Sequence, residues 1–416
     1  MAKLGTLSEE RVMDFLSRLP PKDLLRFKCI HKSWYNLITS PSFIANNLFV
    51  SRNNKFSSTT SIVFKRTVLK DSKDKNDIFN VLRDNDNSRK NIYVSLLDLY
   101  KDHDGDDQNL HSDVDDLIIP LPFSICPFSF QIAGHCDGIL CLVNTVLEDV
   151  AFCNPALKEM KFLPRSPLLL PRRHPEDIDG IETDVNAVGF GYDYETQEYK
   201  IVRVVLFITG ICYTLPSKAE IWTLGSNAWR EIKYDHELHV FWTPTFELHF
   251  KGIYYWNCLT YPSPGQDKEA IFTFDMSEET FEELSIPENY RAVDGYVKFL
   301  SVWKESVVLI ACQGEGPKSF DIWALANSST GVKGSWIKQL VIGPIECEIP
   351  LVFWKSDELL LTMSDGIVAS YNLGDQTLKY LLVHGIEDPQ YIQAFVYVNS
   401  MISVKGDDEV KACIDT

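Results

Sequence analysis

The sequence predicts an α + all-β chain, a small helical unit at the N-terminus followed by an irregular β-propeller. Three observations carry that prediction. Apolar residues recur at helical spacing through the first forty or so residues, in stripes punctuated by Pro20, Pro21 and Pro41. From about residue 118 onward, short β-branched and aromatic runs alternate with turn signals at close intervals, as in an all-β domain. Within that domain Lys251, Lys304 and Asp357 open similar runs 53 residues apart, and Asp137 lies 114 residues before Lys251, near twice that step. A unit of about 50 residues has the length of one four-stranded propeller blade of the kelch kind.

The first helix is expected to start at Ser8, a good N-cap, with Glu9 and Glu10 in the first turn where the helix dipole favours carboxylates. Val12, Phe15, Leu16 and Leu19 then form one apolar stripe, stopped by Pro20 and Pro21. Pro21 can open a second helix at its first position, and "KDLLRFK" supplies Leu24, Leu25 and Phe27. A third stripe of Ile30, Trp34, Leu37 and Ile38 is expected to end near Ser40 and Pro41. A unit this small cannot hide so much apolar surface within itself, so it must lean on something else. Arg18, Lys22, Arg26, Lys28 and Lys32 raise a helix-turn-helix reading, but they do not concentrate on one recognition helix.

Residues 50–117 read as a polar, Asp-rich segment leading into the β domain. Its stretch "DLYKDHDGDDQNLHSDVDD" holds eight Asp against one Lys. Asp102, Asp104 and Asp106 suggest a calcium loop, yet the glycine is Gly105 rather than the sixth loop position, and no Glu occupies the twelfth. A solvated acidic loop is the simpler reading, and no metal site is expected. In the β domain, residues 118–405, a loose repeat pairs strands in which one ends in Asp or Asn plus a turn and the next restarts, as in "CNPALKEMKF", "GYDYETQEYKIV", "FDMSEETFEEL" and "YNLGDQTLKYL". Five to seven blades fit, the alternative being two β-sandwiches with accidental regularity. A propeller must seal its ring, and the late run "YIQAFVYVNSMISV", Tyr391 to Val404, is expected to pair with the early strand "SIVFKR", Ser61 to Arg66.

Composition excludes several function classes. The first residues are charged where a secretory signal needs an apolar core, and the longest apolar run contains Arg203 and is too short to span a bilayer. An intracellular protein is expected, cytoplasmic with nuclear residence also compatible, and with no membrane partner. The 10 cysteines stand singly, which suits buried thiols in a reducing compartment better than disulfides or zinc. The net charge of −18 argues against nucleic acid. Residues 1–50 carry seven Lys/Arg and four Asp/Glu, which leaves −21 for the remainder. Enzyme motifs fail one by one. "DHELH" places His236, Glu237 and His239 together, but a zincin helix needs His where Val240 stands. "GFG" at Gly189 to Gly191 lacks the third glycine and following helix of a dinucleotide site. Neither a nucleophile elbow nor a phosphate loop appears, so no catalytic residue and no cofactor is expected.

The stretch "LSEERVMDFLSRLPPKDLLRFKCIHKSWYNLITSPSFIANNL" resembles a plant F-box, assigned to residues 7–49, in its order of Leu19-Pro20, Leu24-Leu25, Lys32-Ser33-Trp34 and Pro41. It departs from the pattern at Ser8, usually Pro, and at His31, often Cys. "NLHSDVDDLIIPLP", "GHCDGILCL", "CNPALKEMKFLP", "GFGYDYETQEYKIVRV", "AEIWTLGSNAWREI" and "FWKSDELLLTMSDG" extend the resemblance to the plant F-box-associated domain, and their order is most similar to the S-locus F-box proteins of pollen. That resemblance implies a non-catalytic substrate receptor of a Skp–cullin–F-box ubiquitin ligase. It implies Leu7, Leu19, Pro20, Leu24, Leu25 and Trp34 as contacts for a Skp-type adaptor, and through it a cullin. The implied substrate is a basic style S-ribonuclease of a foreign haplotype. An F-box receptor for an unrelated substrate and a kelch-like scaffold without ubiquitin transfer are the alternatives.

Overall fold

The computed structural model describes residues 9–53, 59–69, 90–101, 110–117, 130–144, 149–170, 181–209, 213–226, 228–236, 238–241, 247–263, 266–287, 290, 296–313, 316–326, 335–381, 383 and 392–405. Four helices come first: α1 (Glu9–Ser17), α2 (Pro21–Lys28), α3 (Lys32–Ile38) and α4 (Pro41–Asn53). Ser8, the expected N-cap, lies outside the described residues. Pro21 sits at the first position of α2 as the sequence predicts. The third helix ends at Ile38, near Ser40 and Pro41 as expected, but the unit has four helices where three were expected, because Pro41 opens α4. Its missing N–H costs nothing at a helix start, and the Ser40 hydroxyl accepts from the Phe43 N–H at 3.3 Å. His31, a departure from the F-box pattern, caps α3, its Nδ1 accepting from the Ser33 N–H at 3.2 Å.

Six sheets follow, each a propeller blade. Blade 1 contains β1 (Thr59–Leu69), β2 (Lys90–Lys101) and β3 (Leu110–Leu117). Blade 2 is β4 (Phe130–Cys136), β5 (Ile139–Asn144), β6 (Asp149–Asn154) and β7 (Glu159–Phe162). Blade 3 is β8 (Ile181–Asp193), β9 (Glu198–Thr209), β10 (Tyr213–Thr223) and β11 (Arg230–Ile232). In blade 4 the inner strand is split into β12 (Leu238–Phe241) and β13 (Leu248–Phe250), both paired to β14 (Ile253–Ser263), with β15 (Gln266–Asp275) and β16 (Thr280–Ser285) outside. Blade 5 is β17 (Tyr296–Trp303), β18 (Ser306–Gln313), β19 (Lys318–Leu325) and β20 (Trp336–Ile345). Blade 6 is β21 (Ile349–Lys355), β22 (Glu358–Thr362), β23 (Val368–Asn372) and β24 (Leu378–Leu381). The last strand, β25 (Gln393–Tyr397), returns to become the inner strand of blade 1.

Residues 50–117 therefore do more than lead into the β domain. They complete α4 and supply three of the four strands of the closing blade, a correction to the expected boundary at 118. The polar character of β3, "LHSDVDDL", masked it: an outermost strand faces water, and an Asp-rich run there costs little. The expected closure is present, in register from Ser61 opposite Tyr397 to Lys65 opposite Gln393. Gln393 locks it to blade 2, donating to the Ile132 carbonyl and accepting from the Ile132 N–H, each at 2.9 Å.

The loose repeat corresponds to two kinds of turn at one end of the ring. Hairpins joining first to second strands turn at Asp137-Gly138, Lys251-Gly252 and Lys304-Glu305, all six at positive φ, which matches the twist of the flanking strands. Other turns at this end, third to fourth strand in blades 2, 4 and 6 and first to second in blade 3, are closed by an Asx side chain. Asn154, Asp193, Asp275 and Asn372 each accept two backbone N–H bonds from the residues two and three positions on. Lys158, Gln197, Glu279 and Gln376, four positions on in each case, take the positive φ that reverses the chain. The second strands are buried on both faces between neighbouring blades, which is why "ILCLVN" and "ELLLT" read as continuous apolar runs.

Apolar clusters fill the interfaces between blades, for example Phe152, Phe190 and Trp222 between blades 2 and 3 and Phe299, Phe320 and Phe353 between blades 5 and 6. The "GFG" stretch belongs to this packing, lying in β8. A Cβ on Gly189 would stand 2.6 Å from the Trp256 ring, and one on Gly191 would stand 2.3 Å from His249, so the glycines permit aromatic side chains against the backbone. His236 of "DHELH" packs edge-on against Phe272, whereas Glu237 and the His239 side chain lie outside the described residues.

Candidate functional site

The helical unit is the best-defined candidate surface, and its shape follows from which apolar residues its own core consumes. Leu16, Leu24, Ile38 and Phe43 are fully buried, and a fifth residue of this cluster, Met401, comes from the tail that follows β25. Asn47 of α4 is buried and donates to the Ser17 carbonyl at 2.8 Å, so it caps the C-terminal end of α1. Phe27 and Trp34 meet edge to face with centroids 5.2 Å apart, half-buried on the flank of this core.

The propeller supplies the support that so small a unit needs. Arg52 of α4 pairs with Asp137 at the first hairpin of blade 2, where the Tyr199 hydroxyl donates to the second carboxylate oxygen at 2.8 Å. The Asp137 side chain is 6% exposed, so this pair is shielded from water on the propeller's side. Leu157, in the Asn154 turn, packs on the helical core, and the Asn154 side chain donates to the Ser400 and Ile402 carbonyls. The tail from 398 to 405 thus runs as a wedge between helices and blade 2. It holds the helical unit on the end of the ring that carries the ordered turns.

The predicted contact residues divide into three groups. Leu24 is fully buried, so it supports the surface from beneath and does not form it, a correction to its expected role. Leu19, Leu25 and Trp34 are half-buried and Pro20 is exposed, all within reach of a partner. Leu7 lies outside the described residues. Sequence reasoning missed the most exposed apolar side chains of the unit as contacts: Phe15 at 61%, Ile30 at 62% and Phe49 at 65%. Phe15 and Ile30 were visible in the helical stripes, but a stripe does not say which of its edges the unit keeps for itself.

Comparison with known proteins agrees with this architecture. The F-box associated beta propeller domain matches residues 87–404. The chain belongs to that family. The F-box domain matches residues 12–46, so the helical unit is the F-box. An F-box/kelch-repeat protein of Arabidopsis thaliana is 25% identical over 406 residues, spanning 95% of this chain and 94% of its own. The F-box protein CPR1 of the same plant is 22% identical over 436 residues, spanning 97% of this chain and 91% of its own. Another Arabidopsis F-box protein is 27% identical over 286 residues, 68% of this chain, which spans 61% of that relative's length. F-box proteins with a propeller generally act as substrate receptors of ubiquitin ligases, the F-box binding the Skp1 adaptor and thereby a cullin.

The calcium reading of Asp102, Asp104 and Asp106 falls on residues outside those described. Among the described residues, seven cysteines are free, six of them buried. Burial pushes the Cys153 thiol up to about 12 and Cys312 to about 11, so both sit as neutral thiols near pH 7.

Proposed function

We propose that this F-box protein is the substrate receptor of a Skp–cullin–F-box ubiquitin ligase, cytoplasmic with access to the nucleus, and performs no chemistry itself. One observation carries the reading: the F-box is seated on one end of a closed ring, tied there by the Arg52–Asp137 pair and by Met401 of the tail. The antiparallel strand order puts the second-to-third and blade-to-blade connections at the other end. An adaptor bound at the F-box end leaves that far end open to a substrate, and this seating raises the effective concentration of substrate lysine at the conjugating enzyme. Half-buried Leu19, Leu25 and Trp34 with exposed Pro20, Phe15 and Ile30 are the adaptor contacts in this proposal. Co-purification with a Skp-type adaptor and a cullin tests it. Phe15→Ala with Ile30→Ala, each a surface change, is expected to cost about 2 kcal/mol of binding per strong anchor while leaving the melting temperature near wild type. A folded double variant that captures adaptor at wild-type levels overturns the contact assignment.

The finer proposal is that the substrate is a basic style S-ribonuclease, with the chain acting in pollen as an S-locus receptor. It is supported by the order of the F-box-associated motifs and by the −21 charge outside the first fifty residues, since complementary potentials speed association and reject like-charged partners. Association measured against rising salt, up to a screening length of about 8 Å, is expected to slow with a basic style ribonuclease. Adaptor capture without any ribonuclease binding retains the ligase reading and removes the S-locus one.

A further inference from the structure

Glu247, just before β13 on the inner wall of the ring, is buried at 6% exposure. One carboxylate oxygen meets the Tyr254 hydroxyl, which itself donates to the Ala133 carbonyl at 2.6 Å, while the other, Oε2, has no partner. An open oxygen on a buried carboxyl is costly and calls for a donor. The lysine that senses its charge, Lys65 of β1, spends its ammonium on Gln131 at 3.3 Å.

Glu247 lines a cavity of about 410 Å³ at the F-box end of the central channel, enclosed by the inner strands β13, β17, β21 and β25 together with His135 of β4. Trp303, Phe353 and Phe395 are among its apolar lining residues. Both histidines in it are neutral near pH 7. Burial lowers His135 to about 4 against the opposing charge of Asp137, and lowers His249 to about 3 with His135 and Arg52 adding to the effect. The His249 Nε2 is in any case an acceptor, facing the Tyr192 N–H at 3.4 Å. Charges reappear only at the rim, where the Lys304 ammonium stands 4.2 Å from the Trp303 ring centroid and Lys355 stands 4.6 Å from Trp354, with Glu305 beside them. These indole faces already hold cations.

We propose that this cavity binds a small organic cation, an ammonium or guanidinium on an apolar body, with Glu247 as its counter-ion. The volume suits a ligand of small-molecule size, the aromatic wall takes the body and the face of the charge, and Oε2 accepts its hydrogen bond. An organic anion would be drawn by the rim lysines but would meet the unpartnered Oε2 at the base, an acceptor that offers it no hydrogen bond. Burial raises the Glu247 pKa well above its ordinary 4.5, with Lys65 and Tyr254 opposing, and a cation beside Oε2 would oppose that rise further. Binding therefore favours the carboxylate and weakens as pH falls.

The test uses the full chain with three probes of one shape: 2-phenylethylammonium, neutral 2-phenylethanol and anionic phenylacetate. Only the ammonium is expected to raise the melting temperature and alter Trp fluorescence at millimolar concentration, and to do so less as pH falls. Glu247→Gln should weaken it tenfold or more. Phe395→Leu, which keeps an apolar wall without the ring, should weaken the ammonium severalfold. Equal binding of the alcohol or phenylacetate, an unchanged affinity in Glu247→Gln, or no effect of the ammonium would each overturn the proposal.

Discussion

Leu24 and Phe15 show how differently two apolar residues of one small helical unit are used. Leu24 is fully enclosed by Leu16, Ile38 and Phe43, so Leu24→Ala leaves a cavity in a core too small to relax around it, and is expected to cost about 2–5 kcal/mol. Phe15 stands 61% exposed, and its truncation should leave unfolding within about 0.5 kcal/mol of wild type while weakening adaptor capture. Thermal unfolding beside adaptor co-precipitation separates the two. If Leu24→Ala leaves the melting temperature unchanged, the side chain is a surface contact after all.

At the scale of elements, the turns between strands do more than reverse the chain. Asp193, which closes the β8–β9 turn, also accepts from Ser277 of blade 4 at 2.6 Å and pairs with Lys200 at 2.7 Å. Lys200 in turn reaches Glu279 of blade 4 at 3.0 Å, and Arg230 joins Glu279 from β11 at 2.8 Å. Four charged groups thus clamp blade 3 to blade 4. Burial opposes ionisation of Asp193, yet hydrogen bonds from Lys200, Ser277 and Thr196 hold it well below its ordinary 3.8, and Glu279 is lowered from 4.5 by Arg230 and Lys200 against the same opposition. Lys200 is raised above 10.5 by its two carboxylate partners despite burial. Depressed carboxylates stabilise the fold above their ordinary pKa, and the raised lysine does so below its own. The clamp is therefore at full strength between about 4.5 and 10.5 and fades as pH falls through the carboxylates. Lys200→Met leaves Asp193 buried without its cation, at a cost of about 3 kcal/mol or more near neutrality. The gap in melting temperature between variant and wild type is expected to narrow as pH drops below about 4. A gap that stays constant down to that pH would show that Lys200 acts through packing alone.

For the whole molecule, closure decides whether six sheets form a ring. β25 is the only strand that ties the end of the described chain to its beginning, and its Gln393 bridges blade 1 to blade 2. Cutting after Leu382 removes β25 and with it the tail that carries Met401 into the F-box core. β1 becomes an unpaired edge and the helical unit loses its wedge, so aggregation is expected together with loss of adaptor binding. A truncated chain that remains monomeric and unfolds cooperatively, seen by sizing chromatography and calorimetry, would refute this.

Local chemistry by itself determined much of this protein. Pro21 marked a helix start, the Asp and Asn residues at strand ends marked turns, and 53-residue steps marked blades, because capping, turn geometry and strand burial act over a few residues and leave a readable period. The GFG stretch was legible as strand for the same reason, whereas DHELH, expected to be a loop, runs into β12 at Leu238. Other features required the fold. Nothing local tells whether Pro41 ends one helix or opens the next, since both use the same missing N–H. The Asp-rich β3 looked like a linker because an outer strand needs no apolar face, and only its register against β2 makes it part of a blade. The stripe holding Leu24 and Leu25 was visible, but which leucine faces inward depends on Phe43 and on Met401 arriving from the far end of the chain. Glu247 had no motif at all. Its isolation arises from five inner strands, hundreds of residues apart in sequence, meeting around one channel, and only tertiary structure brings such distant groups together.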